Sequence, residues 1–153
     1  MIMNKTIIML ATAVLALAMT TACSSSDGMS VSKLTNSECL DMTCAADEDI
    51  YVPKPTFVLT RSGASISCEL TDYQVNCHHG ELYVDCQQDG HNIDIRIREQ
   101  QYNGDGISTT CLCWQNIYFT MYDVSGDTFH VTLDGKDVGQ VSFKESSSVV
   151  VEL

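Results

Sequence analysis

The cysteines and histidines of this chain are the residues whose types and spacing could do chemistry. Between positions 77 and 113 the sequence gathers a set of soft or borderline metal ligands: Cys77, His78, His79, Cys86, His91, Cys111 and Cys113. Zinc and copper are the ions that sulfur and imidazole ligands of this kind bind. The C-x-C and C-x8-C spacings differ from the paired C-x2-C of zinc modules. A metal site is therefore the alternative hypothesis, with no metal or other cofactor as the main expectation.

Disulfide bonds would use the same sulfurs, and they are the main prediction for a chain that is exported to an oxidising compartment. The disulfide candidates are Cys39, Cys44, Cys77, Cys86, Cys111 and Cys113. We expect a Cys39 to Cys44 bond to close an N-terminal loop. The others are expected to lie near one another, with the connectivity left open.

Cys68 is then the expected spare thiol, buried as a small apolar side chain. A low-pKa attacking thiol is not expected, since the sequence has no C-x-x-C motif. It also lacks G-x-S-x-G and H-E-x-x-H. We therefore expect no catalytic residues and no enzyme activity.

The formal net charge of −12 also limits the possible partners. A strongly acidic domain repels nucleic acid phosphates, so nucleic acid binding is disfavoured. A protein or glycan partner is compatible with this charge, but the sequence does not specify one.

The elements that must position these side chains are short β-strands. Apolar residues alternate with polar ones in many segments, as in Asn92 to Glu99, where the isoleucines occupy every second position. Glycine turns such as Asp89-Gly90 and Asp134-Gly135 separate the segments. The segment Thr110 to Tyr122 contains the only tryptophan and a long aromatic run, and it is expected to be a central strand. The pattern predicts an all-β fold, an antiparallel β-sandwich of about 8–10 short strands.

The N-terminus predicts export. Lys5 precedes the apolar run from Ile7 to Met19, and small residues lead to Cys23. The run is shorter than the about 20 apolar residues of a membrane-spanning helix. Thr20-Thr21-Ala22-Cys23 resembles a bacterial lipobox, which implies cleavage after residue 22 and acylation of Cys23, for example by palmitate. We expect a signal peptide at 1–22, a flexible serine-rich tether at 23–35 and a single domain at 36–153, whose lead-in at 36–55 is irregular and disulfide-stapled.

Two resemblances narrow the fold and the location. The stretch from Asn116 to Phe143, with its aromatic run and its Asp134-Gly135 turn, resembles the end of immunoglobulin-like modules on bacterial surfaces. Asn76-Cys77, followed by Cys111-Leu112-Cys113, is similar to small lipoproteins of Bacteroidota type. The resemblance implies an immunoglobulin-like sandwich anchored by lipid in the cell envelope, and we expect the outer membrane as its location. The expected role is a non-catalytic binding or structural accessory module.

Overall fold

A computed structural model describes residues 28–43, 53–77, 79–100 and 111–153. These residues form strands and connecting turns, and no helix occurs in the described ranges. In chain order the strands are β1 (Ser30–Val31), β2 (Thr35–Asn36), β3 (Asp41–Thr43), β4 (Thr56–Ser62), β5 (Ser65–Asn76), β6 (Leu82–Asp89), β7 (Asn92–Glu99), β8 (Leu112–Tyr122), β9 (Thr128–Leu133), β10 (Lys136–Ser142) and β11 (Ser148–Glu152).

The strands form two sheets that pack face to face. In the larger sheet the order is β1-β8-β5-β4-β11, and β2 and β3 also pair with β8. The smaller sheet has the order β10-β9-β7-β6. The predicted all-β sandwich is confirmed. The more specific immunoglobulin-like resemblance is not tested by these features and stays a prediction.

The sandwich forms because the apolar side chains occur at every second position and so lie on one face of each strand. In β4, Phe57 and Leu59 are buried while the residues between and beyond them are more exposed. In β7, Ile93 and Ile95 are buried in the same way. One continuous hydrophobic cluster lies between the sheets.

The long strand β5 contains a bulge that the sequence did not indicate. A single strand runs from Ser65 to Asn76. Its pairing with β8 shifts between Leu70 and Tyr73. Asp72 has a positive φ of 52°, and its N–H donates to the side-chain oxygen of Asn116. The bulge lets β5 follow β8 to its beginning.

The smaller sheet is mixed, which corrects the expectation of a purely antiparallel sandwich. Strands β7 and β9 pair in parallel, with Ile93 opposite Val131 and Ile95 opposite Leu133. The alternating pattern of each strand is the same for either direction of pairing. The direction of this pair could therefore not be predicted from the sequence.

The N-terminal segment is more regular than expected, since β1 and the first residue of β2 lie in the predicted flexible tether at 23–35 and β3 lies in the predicted irregular lead-in at 36–55. The short strands β1, β2 and β3 all pair antiparallel with the same edge of β8. They bring the total to eleven strands in the described residues, against the eight to ten expected. Within the same ranges no helix is long and apolar enough to cross a membrane.

Candidate functional site

The start of β8 presents two residues to opposite sides of the larger sheet. Cys113 faces the hydrophobic cluster and is buried. Trp114 alternates with it and so lies on the face that also carries Tyr118 and Tyr122. Trp114 is nevertheless only 4% exposed, although it lies outside the main hydrophobic cluster of the described residues. Its burial therefore belongs to a separate environment.

Cys113 forms a disulfide with Cys39. This bond differs from the expected pairing of Cys39 with Cys44. The reason is that the described part of the lead-in, residues 36–43, lies along β8, where the N–H of Leu40 donates to the carbonyl of Trp114. Cys44 lies outside the described residues, as does the predicted lipidation site Cys23.

The remaining cysteines divide into one bonded and three free. Cys111 is also disulfide-bonded, whereas Cys68, Cys77 and Cys86 are free thiols. Cys77 and Cys86 were candidates for disulfides, but they do not form them here. Cys77 follows β5 in the larger sheet and Cys86 lies within β6 of the smaller one. Cys68, the expected spare thiol, is free and buried.

Burial makes two of these thiols poor nucleophiles. It raises the pKa of Cys68 well above its ordinary value, and a neighbouring Cys86 adds to the effect. Burial also raises the pKa of Cys86 to about 12, with smaller contributions from Asp85 and Asp94. Thiol chemistry requires the thiolate, so neither residue is suited to attack a substrate at neutral pH.

The histidines of the possible metal set have other hydrogen-bond partners. His79 Nε2 accepts from the side-chain amide of Gln115 at 2.8 Å, and its Nδ1 donates to the carbonyl of Gly80 at 2.7 Å. His91 Nδ1 lies 3.3 Å from the carbonyl of Thr128. His78 lies outside the described residues. No group of three or more possible metal ligands occurs within the described ranges.

A cavity of about 430 Å³ lies beside Trp114, and we call it the distal cavity. Its apolar lining comes from both sheets, from the segment before β4 and from the residue after β11. These residues are Pro53, Pro55, Tyr73, Leu133, Val138 and Leu153.

The distal cavity exists because β4 is shorter than β5 and leaves part of the edge of β5 uncovered. The first residue of β4, Thr56, pairs with Thr71, so no residue of β4 pairs with Tyr73 or Gln74. Pro55 precedes Thr56, and proline lacks the N–H that a further ladder bond would need. The edge of β5 is therefore left uncovered by β4 where it passes the cavity.

A hydrogen-bonded pair fixes one wall of the distal cavity. The phenol of Tyr73 donates to Asp134 Oδ2 at 2.7 Å, and the N–H of Ile97 donates to Asp134 Oδ1 at 2.8 Å. The pKa of the Tyr73 phenol is raised above its ordinary value, mainly by burial and secondly by the hydrogen bond to Asp134. Asp134 lies in the two-residue turn between β9 and β10, with a positive φ of 51°. The turn predicted at Asp134-Gly135 thus also positions a cavity residue.

The indole of Trp114 is the unusual feature of the cavity wall. Its Nε1–H is buried and has no hydrogen-bond partner among the described residues. Buried polar groups normally have a partner, and leaving one without costs about 1–3 kcal/mol. An acceptor supplied from outside the described chain would remove this cost.

The distal cavity was not predicted from the sequence. Trp114 was expected only as part of a central strand, and Asp134 only as a turn residue. One signal was present in the sequence, namely that the single tryptophan lies on the strand face opposite Cys111 and Cys113. A tryptophan on that face indicates a second buried environment, but the sequence does not identify the residues that line it.

No family model, curated protein or solved structure matches this chain. The function therefore has to be inferred from the geometry of the chain itself.

Proposed function

We propose that this chain is a lipid-anchored, non-catalytic binding module of the cell envelope, with Cys23 as the acylated residue and the distal cavity as the binding site. The anchor rests on the apolar run and the lipobox-like sequence before Cys23. The binding role rests on the distal cavity with its unpartnered indole. No group of three or more possible metal ligands occurs among the described residues, so they give no support to the alternative metal-handling role.

The observation that carries the proposal is the position of the cavity relative to the N-terminus. Ser30, in the first strand, pairs with Tyr122 at the end of β8, whereas Trp114 lies near its beginning. At a strand rise of about 3.4 Å per residue, these two positions on β8 are about 27 Å apart. The chain therefore enters the domain at the end opposite the cavity.

This arrangement suits an anchored receptor. The residues from Cys23 to Ser30 span at most about 25 Å when fully extended. A lipid on Cys23 would hold the Tyr122 end of the domain close to the bilayer and direct the distal cavity away from it. A cavity at the near end would face the lipid head groups instead.

Mass spectrometry of the protein purified from the membranes of cells that express the full chain tests the anchor. We expect a mature form that begins at Cys23 and carries acyl chains on that residue. The Cys23→Ala variant should lack the acyl mass and leave the membrane fraction, or remain unprocessed. A wild-type protein that begins at another residue, or that carries no lipid, would overturn the proposal.

A further inference from the structure

We propose that the distal cavity binds a neutral sugar of one or two rings. This inference rests on the proposed binding function and names its ligand class.

The first requirement is an acceptor. The Nε1–H of Trp114 is buried without a partner among the described residues, and Trp114 lines the distal cavity. An indole is a donor only, so a ligand that completes this group must bring an oxygen or another acceptor atom. A purely apolar ligand would leave the donor unpaired.

The second requirement is an apolar face. Pro53, Pro55, Val138 and Leu153 bring aliphatic surface to the cavity, and Tyr73 brings an aromatic ring. A pyranose ring presents C–H groups on its faces and hydroxyls around its edge. It can therefore contact these apolar walls while its hydroxyls reach the polar groups.

The charges at the rim disfavour an anion. Asp72, Asp134 and Asp137 line the cavity, against one cation, Lys136. A phosphate or carboxylate ligand would meet this negative excess in a partly desolvated site, where like charges repel. A metal ion or a simple ammonium ion would satisfy the excess, but it has no acceptor to offer the indole.

Hydroxyl groups suit both the indole, which needs an acceptor, and the carboxylates of the rim, which need donors, since each hydroxyl is a donor and an acceptor. They can donate to carboxylate oxygens and accept from Trp114 and from Lys136, which forms no ion pair with any described residue. Gln74 adds an amide that can do both. A neutral polyhydroxylated ligand is the class that can use all of these polar groups of the distal cavity.

The volume sets the size of the ligand. Ligand pockets usually measure about 300–1,000 Å³, and the 430 Å³ of the distal cavity is near the lower end. This favours one or two sugar rings over a long oligosaccharide. A longer glycan would have to extend from the cavity into solvent.

Trp114 provides the assay, because it is the only tryptophan of the chain. The full-length protein in detergent is titrated with glucose, galactose, mannose, N-acetylglucosamine, maltose and cellobiose while its tryptophan emission is recorded. We expect a saturable change with at least one of them. Galacturonate, which matches galactose except for its carboxylate, should bind at least about tenfold more weakly than the neutral sugars that bind.

Calorimetry on variants then locates the site. Trp114→Phe keeps a ring but removes the donor, and it should weaken binding about tenfold or more. Lys136→Met changes an exposed rim residue, so it is expected to fold normally and to weaken binding about threefold to tenfold. Tyr118→Phe is the matched control on the same face of β8, outside the cavity, and should bind like wild type.

Three results would overturn the inference: no saturable response to any of the neutral sugars, equal binding of galactose and galacturonate, or unchanged affinity in both Trp114→Phe and Lys136→Met. The first two results refute the ligand class alone, whereas unchanged affinity in both variants would also remove the distal cavity as the binding site. A protein that is acylated at Cys23 but binds none of the sugars would refute the ligand class and leave the anchor intact.

Discussion

Arg61 holds together the end of the sandwich opposite the distal cavity, and replacing it should be costly. Its Nε donates to the carbonyl of Gly63 at 2.8 Å, and its two terminal nitrogens donate to the carbonyls of Gly126 and Val124. The guanidinium carbon lies 6.0 Å and 5.8 Å from the ring centroids of Phe129 and Phe143. One side chain thus connects the turn between β4 and β5, the loop between β8 and β9, strand β9 and the residue that follows β10.

The magnitude follows from these contacts. Hydrogen bonds to a charged group contribute about 1.5–3 kcal/mol each when well formed, and each cation–π contact adds about 0.5–1 kcal/mol. The side chain of Arg61 is 16% exposed, so water can replace part of each bond. We expect Arg61→Met to lower the free energy of unfolding by about 3 kcal/mol. Arg61→Lys keeps the charge but not the planar fork, and should lose about 1.5 kcal/mol.

Urea unfolding followed by the Trp114 emission measures these losses, since the unfolding free energy falls linearly with denaturant. Arg98→Met is the matched control, because Arg98 pairs at 2.8 Å with Asp85 and both side chains are about half exposed. Exposed pairs of this kind contribute about 0–1 kcal/mol. If Arg61→Met costs no more than Arg98→Met, the carbonyl contacts of Arg61 do not stabilise the fold as reasoned.

Two further predictions concern sulfur. Peptide mapping without reduction should recover Cys39 linked to Cys113, and serine at both positions should lower the unfolding free energy by about 2–4 kcal/mol; recovery of Cys39 linked to another cysteine would contradict the arrangement of β3. The unfolding free energy should also fall as the pH rises above about 9. The pKa of the Cys86 thiol is about 9.0 in the unfolded chain and about 12 in the folded protein, so above pH 9 the unfolded state loses this proton first and is favoured. Cys86→Ala should flatten this decline, and an equal slope in both proteins, measured by urea unfolding between pH 8 and 10.5, would refute the assignment.

The strands of this fold could be predicted because each carries its own local evidence. In β7, three isoleucines at alternate positions, bounded by a glycine turn, specify an extended segment with one buried face. The same reasoning predicts the Asp134-Gly135 turn, where both residues have positive φ. Neither conclusion needs information about the partner strand.

Features that depend on a distant segment could not be predicted in this way. The pairing of Cys39 with Cys113 depends on the lead-in lying along β8, and nothing in the residues near Cys39 encodes that path. The distal cavity likewise depends on β4 beginning only at Thr56, opposite Thr71, while β5 continues past its bulge. Both features result from the relative lengths and registers of strands, which alternation leaves open.

The position of the disulfide has a mechanical consequence for an anchored domain. The strands β1 and β2 are two residues long and pair only along one edge of β8. A pull on Cys23 would act on these short strands first. Cys39 is bonded to Cys113 in the sheet, so the separation of the N-terminal strands from β8 should stop at this bond.

Force spectroscopy tests this consequence directly. When the protein is pulled from residue 23 and from its C-terminus, the oxidised chain cannot extend the segment between Cys39 and Cys113, which are 74 residues apart. At about 3.6 Å per residue, the reduced protein should lengthen by about 270 Å more on complete unfolding. The Cys39→Ser/Cys113→Ser variant should show a smaller difference on reduction or none, depending on what the bond at Cys111 still encloses. Equal extension of the oxidised and reduced wild-type protein would mean that this bond does not protect the sheet from a pull at the anchor.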